Sequence, residues 1–508
     1  MLKRIALLLC AVMLVSLVGC SNGTNGKNTT SNTTATAKED VIIGTSSEFT
    51  TTDPQGSNSQ APLTLATLTH ETLTEIDASG NPVAGMATFE QVDQLTYKFT
   101  IPGNVTFTNG DPCTTEDVAF TFERARESSF TSGKISTLDH TEIISPTEIR
   151  FVLSSPNQDF LTTLAHKSLS ILSKKACQED TEHGFEIGTG RYYLTKWVPG
   201  DVTSVTRYDG YRGDKGVAKT ITFRQIAETS ARIIALQNKE IDIALGLESL
   251  DASKIDADSS LELVKFEDVW IKYLTFNVNA APFDNVKVRQ AIAHAVNKNN
   301  VILGAANGEG ILHTSVVNKT QFGLDETLKD YDYDPALAKS MLAEAGYPNG
   351  LEITLSCYKG SPYETIAAVV QSDMAAAGIK IKVNPVEPAA LKSMMKEGQH
   401  EMAIYGWSDA IGTDFTVRSL LYSTSGSNRC KIADPKLDAM IDAALSEVDT
   451  AKREQMYKDI QQYVNDLCPY IMLYTGYIYV GVHKGTTGVK WNASNIHDFC
   501  YVSVPSYQ

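Results

Sequence analysis

The stretch LTYKFTIPGNVTFTNGDPCTTEDVAFTFERAR, residues 95–126, decides how the rest of the chain is interpreted. Its pattern predicts a strand over 96–101, a Pro-Gly break, and a second short strand that ends in the sharp turn 109–112. Thr114 stands three residues before Asp117, which is the spacing of a capping box, and apolar residues then recur at helical intervals. Physics alone therefore predicts a small β-β-α module, which is typical of core scaffold.

Inside this module lies a Phe-x-x-Gly-x-Pro pattern that is followed by Glu-Asp-Val. It is formed by Phe107, Gly110, Pro112, Glu116, Asp117 and Val118. The pattern resembles the signature of the family 5 extracellular solute-binding proteins, the peptide- and nickel-binding components of ABC transporters. Taken alone, it is a single signal that the rest of the chain has to support.

Further motifs of that family follow in the expected order. Residues 276–292 resemble its second signature, Phe-Asn, then Pro-Phe-Asp and Val-Arg-x-Ala-Ile. Residues 333–347 resemble a third, in which Asp-Pro opens a helix that a Gly closes. Residues 188–192 read Gly-Thr-Gly-Arg-Tyr, where the family usually has Pro in place of Arg191. The resemblance covers residues 41–508.

For the fold, the resemblance implies an α/β protein: a two-lobed periplasmic-binding-protein-like clamp of type II, with an extra subdomain in lobe I. Lobe I is expected at 40–268 and 478–508, with the subdomain at about 76–185. Lobe II is expected at 269–477. Strand and helix patterns alternate in both halves of the chain, as α/β lobes require.

Residues 1–19 are expected to be a lipoprotein signal peptide. Lys3 and Arg4 precede an apolar run over 5–18 that is short for a membrane span. The run ends in Leu-Val-Gly-Cys, which resembles the lipobox of bacterial lipoproteins, so Cys20 is the expected site of lipidation. Residues 20–39 then form the lipidated cysteine and a flexible tether, whose root-mean-square reach is roughly 23 Å.

The chain is acidic, and this excludes some partners. Its net charge is −16, and removing residues 1–19, which hold two cations and no carboxylate, makes it −18. Nucleic acid and anionic lipid bind basic surfaces, so neither is an expected partner. No later apolar run in the sequence reaches the length of a membrane span. The lipid on Cys20 is therefore the expected membrane attachment.

Six cysteines follow Cys20, and their spacing indicates no metal site. The sequence has neither a Cys-x-x-Cys pair nor a Cys/His cluster at metal spacing, which argues against structural zinc. Export permits disulfides, and one hypothesis pairs neighbours within a lobe, Cys113 with Cys177 and Cys357 with Cys430. Spacing indicates no Ser-His-Asp or paired-carboxylate arrangement, so neither an enzyme nor a cofactor is expected.

Candidate ligand-binding residues come from three places. One is the loop after the first strand, whose counterpart in the family lines a wall of the cleft. The others are a strand at 269–278 and a strand that ends at an aromatic residue near 407, because α/β folds place ligands at strand ends. The candidates are Ser47, Glu48, Phe49, Tyr273, Asn277, Tyr405 and Trp407, together with Asp409 and Asp414.

The two carboxylates carry a specific expectation. In peptide-binding members of the family, a Gly-Trp pair is followed by an Asp that pairs with the α-ammonium of the ligand. Asp409 lies two residues after Trp407 rather than the more usual three, so either Asp409 or Asp414 takes this role, or neither does. Loop solvation and helix N-capping stay open for both. A buried carboxylate–ammonium bond would fix the orientation of an amine ligand.

The resemblance implies a substrate-binding lipoprotein of an ABC importer. It would be a monomer on the extracytoplasmic face of the cell membrane that captures an oligopeptide or dipeptide between its lobes. It would then deliver the ligand to a permease with its ATPase subunits. Nickel chelates, sugars and opine-like molecules stay open as ligands of the same clamp. A sensory or enzymatic surface lipoprotein is the alternative from a different class.

Overall fold

The computed structural model describes residues 37–77, 80–408, 412–492 and 496–506, in which strands alternate with helices. The strands are β1 (Asp40–Thr45), β2 (Thr74–Ile76), β3 (Pro82–Ala84), β4 (Thr88–Gln91), β5 (Thr96–Thr100), β6 (Leu138–Ser145), β7 (Glu148–Leu153), β8 (Tyr192–Val198), β9 (Val202–Arg207), β10 (Thr220–Gln225), β11 (Ile243–Leu247), β12 (Leu261–Glu267), β13 (Ile271–Phe276), β14 (Ile311–Leu312), β15 (Leu351–Tyr358), β16 (Ile379–Val386), β17 (Met402–Trp407), β18 (Tyr470–Thr475), β19 (Tyr477–His483), β20 (Lys490–Trp491) and β21 (His497–Asp498). The α-helices are α1 (Gln60–Thr69), α2 (Thr115–Glu127), α3 (Phe160–Thr163), α4 (Lys174–Glu179), α5 (Thr229–Gln237), α6 (Ala252–Asp256), α7 (Val286–His294), α8 (Lys298–Ala305), α9 (Pro335–Glu344), α10 (Tyr363–Ala375), α11 (Pro388–Lys396), α12 (Thr413–Leu421), α13 (Pro435–Ser446) and α14 (Thr450–Leu467). Short 3₁₀ helices lie at Pro54–Gly56, Lys167–Leu169, Gly184–Glu186 and Ser249–Asp251.

The first lobe is built on a seven-stranded mixed sheet in the order β12-β19-β11-β1-β10-β9-β8. β1 lies in the middle and is parallel to both β10 and β11, whereas the outer pairs are antiparallel. Val41 and Ile43 on β1 are buried, and their core includes Leu65 and Leu68 of α1. A central parallel strand with buried apolar side chains is the arrangement expected of an α/β lobe.

A four-stranded antiparallel sheet, β4-β5-β7-β6, forms a separate layer whose core includes residues of α2. The predicted strand and helix of the opening stretch are confirmed, and so is the capping box: the Thr114 hydroxyl accepts the Glu116 N–H, and Asp117 accepts the Thr114 N–H at 2.8 Å. The predicted second strand at 105–108 is wrong. Its backbone closes on the turn that follows, because the Phe107 N–H donates to the Asp111 carbonyl.

The second lobe is built on a six-stranded sheet in the order β14-β18-β13-β17-β15-β16. Apolar side chains cover both of its faces. Leu274 and Phe276 of β13 join a core with α7, α9 and α10. Ile271 and Tyr273 of the same strand join the opposite core with α12, α13 and α14. α9 begins with the predicted Asp334 cap and Pro at its first position. A sheet covered by helices on both faces confirms the α/β assignment.

Within the described residues, the polypeptide passes between the two large sheets twice, at two neighbouring points. The chain leaves the seven-stranded sheet after β12 and enters the six-stranded sheet at β13. It returns through Gly476, the single residue between β18 and β19. The Asp268 N–H donates to the Gly476 carbonyl at 3.1 Å, so the two connections lie side by side. We call this pair of connections, residues 268–270 and Gly476, the hinge segment.

The six cysteines of the described residues are free thiols, so both pairings in the disulfide hypothesis are wrong. Cys357 and Cys430 lie in the two different cores of the second lobe, on opposite faces of its sheet. Cys113 is packed in the core of the four-stranded sheet, whereas Cys177 is partly exposed on α4. Neighbours in sequence are thus not neighbours in space.

None of the helices described here is both long and apolar enough to cross a bilayer.

Candidate ligand-binding site

A cavity of about 630 Å³ lies between the two lobes. Its volume is in the range of small-molecule sites. The first lobe and the four-stranded layer line one side with Asn58, Gln60, Leu63, Ser129, Phe130, Gly133, Lys134, His166 and Ile496. The second lobe lines the other with Trp270, Tyr273, Tyr358, Lys392, Tyr405, Gly406, Trp407, Ser408, Phe415, Ser419, Ser427 and Arg429.

Three of the sequence-predicted residues, Tyr273, Tyr405 and Trp407, are brought together in this cavity. They come from the neighbouring strands β13 and β17, which pair so that Tyr273 stands opposite Tyr405 and Ile271 opposite Trp407. The rings of Tyr273 and Tyr405 are 6.3 Å apart, and Tyr405 lies 5.3 Å from Tyr358 at the end of β15. Strand ends thus supply one aromatic wall.

Gly406 has a packing role in the same wall. A Cβ atom at this position would lie 1.8 Å from Nε1 of Trp270 and would also meet other atoms of the indole ring. The indole therefore lies directly over the backbone of β17, and only a glycine leaves space for it. The Gly-Trp pair of the sequence thus contributes two things, the Trp407 ring and the room for Trp270.

Arg429 is the most unusual polar group of the cavity. It is 5% exposed, and its guanidinium donates to the Gly426 carbonyl at 2.8 Å and lies 5.9 Å from the Tyr405 ring. Within the described ranges no carboxylate forms an ion pair with it. A buried cation without a counter-ion is costly, because desolvation is not repaid by an opposite charge. The site therefore suits an anionic group on a ligand.

Tyr273 lines the same cavity, and its hydroxyl is the second unusual polar group there. It is buried, and in the part of the chain that the structure describes it has no hydrogen-bond partner. Burial raises the pKa of Tyr273 well above its ordinary value, and the nearby Arg429 charge opposes that shift. The neutral hydroxyl is therefore an unused hydrogen-bond donor at this wall.

The first lobe contributes a different set of groups. Phe130 is an exposed ring at the cavity, and Nζ of Lys134 stands 4.9 Å from the ring centre of Phe415 in the second lobe. His166 is buried, and burial together with the Lys134 and Lys167 charges holds its pKa well below the ordinary value. Its Nδ1 accepts the Ser168 N–H at 3.1 Å, so the proton of the neutral ring lies on Nε2.

The loop after β1 is not brought to this cavity. Ser47 and Phe49 line a separate cavity of about 80 Å³. The Phe49 ring packs 4.9 Å from Phe223, and the Phe49 carbonyl accepts the Trp197 indole N–H. Glu48 is exposed. Gln60 is the link, since it lines both cavities. Phe49 thus packs against its own sheet, whereas Ser47 and Glu48 are exposed.

Asn277 is also outside the cavity. It follows the end of β13, four residues beyond Tyr273, which corresponds to about 13 Å along an extended chain. Its side-chain amide donates to the Gly398 carbonyl at 2.8 Å, and its side-chain oxygen accepts the Asn279 N–H. Both ends of the amide are therefore used in a turn just beyond the C-terminal end of β13.

Asp414 lies near the cavity in the first turn of α12, but its carboxylate is occupied. Arg418 donates to both of its oxygens, at 3.0 and 3.4 Å. Burial raises the pKa of Asp414 to about 6, with a further contribution from Asp159, while Arg418 opposes the rise. An ammonium group would have to displace Arg418 to bind there. Asp409, the other candidate, lies outside the described residues.

Sequence reasoning missed several residues of the site. Tyr358 could have been found, because it ends β15 beside β17, where the strand-end rule applies. Trp270 precedes β13 in an apolar run that gives no sign of its position. Lys134, His166 and Arg429 lie in irregular segments, and only the tertiary structure brings them to one cavity. Among the described lining residues there are three cationic side chains and no carboxylate.

The chain is similar in sequence to known solute-binding proteins. The family model described as "Bacterial extracellular solute-binding proteins, family 5 Middle" matches residues 81–429. The dipeptide-binding protein of Escherichia coli is 27% identical over 419 residues, which is 77% of this chain and 78% of the relative. The glutathione-binding protein GsiB of Pectobacterium atrosepticum is 28% identical over 479 residues, 89% of this chain and 91% of the relative.

A solved structure shares the architecture. The ABC transporter substrate-binding protein CtaP of Listeria monocytogenes superimposes with a TM-score of 0.85 at 21% identity, and the match covers 93% of this chain and 100% of that one. At this identity the likeness concerns the fold. It confirms the two-lobed clamp expected from the sequence.

Proposed function

Since the chain belongs to the family 5 bacterial extracellular solute-binding proteins, we propose that it captures a short peptide between its lobes for an ABC importer. The dipeptide- and glutathione-binding relatives support peptide as the ligand class. A permease and an ATPase are then its partners, and the peptide leaves the cavity uncleaved. Nickel chelates, sugars and opine-like molecules are less well supported.

The observation that carries the peptide proposal is that Arg429 and Tyr273 both line the cavity on the side of the second lobe. Every peptide with a free C-terminus carries a carboxylate, and a guanidinium with a neighbouring hydroxyl can hold one by charge-assisted hydrogen bonds. Arg429 is buried at the cavity wall without a counter-ion among the described residues, and the Tyr273 hydroxyl is unpartnered there. The aromatic rings of the second lobe supply apolar contact for side chains.

The proposal assigns no role in ammonium binding to Asp414, because Arg418 occupies both of its oxygens. Asp409 stays the candidate for the peptide α-ammonium, on the strength of its position after Trp407 in the sequence. Tyr405 and Trp407 are proposed to line the ligand, as predicted from the sequence. Ser47, Glu48, Phe49 and Asn277 are not included.

The experiment is a thermal-stability screen of residues 37–508, which form one compact unit, against di- and tripeptides. Each peptide is supplied both as the free acid and as the C-terminal amide. A ligand at 100 times its dissociation constant adds roughly 2.7 kcal/mol, which raises the melting temperature by a few degrees. The free acids are expected to raise it and the amides to do so much less.

Arg429→Met tests the residue directly. A hydrogen bond to a charged group contributes about 1.5–3 kcal/mol, so the variant should bind the free acid roughly 10- to 150-fold more weakly and no longer distinguish it from the amide. Lys392→Met is the matched control, because Lys392 is an exposed cation of the same cavity. Equal binding of acids and amides by the wild type would contradict the carboxylate site. A response to metal chelates or sugars alone would remove the peptide assignment.

We further propose that residues 1–19 are a signal peptide, that Cys20 is lipidated, and that residues 20–36 tether a monomer to the extracytoplasmic face of the membrane. The Leu-Val-Gly-Cys sequence and the polar composition of the tether support this. Residues 37–39, which were also expected in the tether, belong to the first lobe instead, because the Lys38 N–H donates to the Val504 carbonyl at 2.8 Å and Lys38 forms an ion pair with Asp242. Expression of the full chain with an alkyne-labelled fatty acid should label the wild type and leave Cys20→Ala unlabelled.

Lobe I is proposed to comprise 40–268 and 478–508, with its subdomain at about 76–185, and lobe II 269–477. Recovery of cleaved peptide would instead indicate an enzyme.

A further inference from the structure

Helix α12 begins without a cap from its own lobe. Its N-cap residue is Gly412, which has no side chain to accept the free N–H groups of the first turn. A carboxylate from the other side of the cleft takes that place: Oδ2 of Asp159 accepts the Asp414 N–H at 2.8 Å. The N-terminus of a helix favours a negative charge there, so the contact has both hydrogen-bond and electrostatic components.

Asp159 is firmly attached to the first side of the cleft. Asp159 ends the loop between β7 and α3 and immediately precedes Phe160. The Phe160 side chain is buried in the core of the four-stranded sheet, with its ring centre 5.5 Å from that of Tyr97. The Asp159 backbone N–H donates to Oδ1 of Asn157 at 2.9 Å, which fixes the main chain at this position. α12 belongs to a different core, that of the six-stranded sheet. The cap therefore joins two separate cores.

The fit around the cap is close. A Cβ atom on Gly412 would lie 2.9 Å from Oδ2 of Asp159, so the glycine leaves the approach open. Beside it, the Gln158 N–H donates to the Leu445 carbonyl at 3.4 Å. Asp159 is 7% exposed, and the charged groups that act on it include Asp414 of α12 and Arg453 of α14. Removal of the first lobe would return this helix end to water.

The capped turn also forms part of the cavity wall. Phe415, one residue after Asp414, lines the cavity with its ring 6.2 Å from that of Trp407. The Trp407 indole N–H reaches Oγ1 of Thr416 in the same turn at 3.3 Å. Nε2 of Gln321 donates to the Gly412 carbonyl and to Oγ1 of Thr416. The position of this turn and the shape of the ligand wall are thus set together.

We propose that Asp159 is a positioning residue for closure, because its carboxylate completes α12 only when the two lobes are together. Opening the clamp leaves the helix end uncapped, and closing it restores the cap. Ligand capture and cap formation therefore stabilise each other, although Asp159 does not line the cavity. The inference rests on the proposed function in one respect, that the ligand is held between the lobes.

The primary test compares exchange without ligand and with saturating tripeptide Ala-Phe-Ala. Hydrogen exchange of the segment 412–421 is measured by mass spectrometry in both states in the wild type, Asp159→Ala and Asp159→Asn. Loss of an N-cap changes the equilibrium constant for opening of a helix end by a factor of about 2 to 30. Asp159→Ala should therefore raise the exchange rate in this segment by a factor in that range. Asp159→Asn should restore most of the protection, because an amide oxygen also accepts a cap hydrogen bond.

Asp334→Ala is the matched control. Asp334 caps α9 within the second lobe, through the Ala336 and Leu337 N–H groups, and lies outside the cavity lining. Its removal should leave exchange in 412–421 unchanged. If Asp159→Ala exchanges like the wild type in this segment both without and with the tripeptide, or if Asp334→Ala raises the exchange equally, the closure role of Asp159 is refuted.

A second arm adds the tripeptide Ala-Phe-Ala to all three variants and to the wild type. Asp159→Ala should bind it about 2- to 30-fold more weakly than Asp334→Ala does, even when the two lose similar thermal stability. Equal affinities would overturn the coupling between capture and cap. Failure of the wild type and of every variant to bind the tripeptide would count against the proposed function alone, whereas a difference in exchange between Asp159→Ala and Asp334→Ala without ligand would still support the cap.

Discussion

Asp414 predicts a pH dependence of stability opposite in sign to that of most carboxylates. Its pKa is raised from 3.8 to about 6 in the folded protein, chiefly by burial. The folded state therefore binds more protons than the unfolded state between these values, and the free energy of unfolding increases as pH falls through this interval. Arg418 stays protonated throughout, and burial raises the pKa of Asp159 in the same direction.

The magnitude follows from the two pKa values. Keeping Asp414 ionised at neutral pH costs about 3 kcal/mol relative to its protonated form, and about 2 kcal/mol of this is recovered by pH 4.5. Asp414→Asn fixes the neutral form, so the difference in unfolding free energy between the variant and the wild type should shrink by about 2 kcal/mol between pH 7.5 and 4.5. Urea unfolding at several pH values measures this difference.

Asp442→Asn serves as the control for that experiment. Asp442 is the second carboxylate that binds Arg418, at 2.9 Å, but its side chain is about half exposed. Its removal should leave the pH dependence close to that of the wild type. Parallel pH profiles for the wild type and Asp414→Asn would refute the reasoning, because they would show that burial does not perturb this carboxyl group.

Three further predictions concern packing and thiols. Arg232 on α5 is 1% exposed and donates to four backbone carbonyls and one hydroxyl. Arg232→Met should therefore lower the unfolding free energy by about 3–5 kcal/mol, measured by urea titration. A loss below about 1 kcal/mol would contradict this. Gly406→Ala should displace the Trp270 indole, with a cost of about 1–3 kcal/mol and an altered tryptophan fluorescence; an unchanged spectrum would argue against the close packing. Thiol titration of residues 37–508 in denaturant without reductant should find six free thiols, and a lower number would indicate a disulfide among Cys113, Cys177, Cys357, Cys430, Cys468 and Cys500.

The parts of the fold that could be predicted from the sequence depend on local interactions. The caps of α2 and α9 are made by residues within four positions of each helix start, so Thr114 and Asp334 identify them directly. The failed strand at 105–108 shows the limit. Its residues have strand propensity, but the turn after Phe107 closes on itself through the Asp111 carbonyl, and the segment forms a loop instead.

The site was only partly predictable for a related reason. Tyr273, Tyr405 and Trp407 lie on two paired strands, and a strand-end argument finds such residues. Arg429 and Lys134 reach the cavity from irregular segments of opposite lobes, which no local pattern encodes. The loop at 47–49 was assigned from the family resemblance, but the Phe49 ring packs on Phe223 of its own sheet. Long-range packing decided these cases.

The hinge segment has a consequence for how the protein can be taken apart. Because the connections at 268–270 and at Gly476 lie side by side, residues 271–475 form an insertion whose two ends are adjacent. Such a unit can in principle be excised as a cassette and closed by a short linker, or exchanged with the corresponding unit of a relative, without rethreading the seven-stranded sheet. The part of the ligand preference that depends on the aromatic wall of that unit would then be transferred together with the unit.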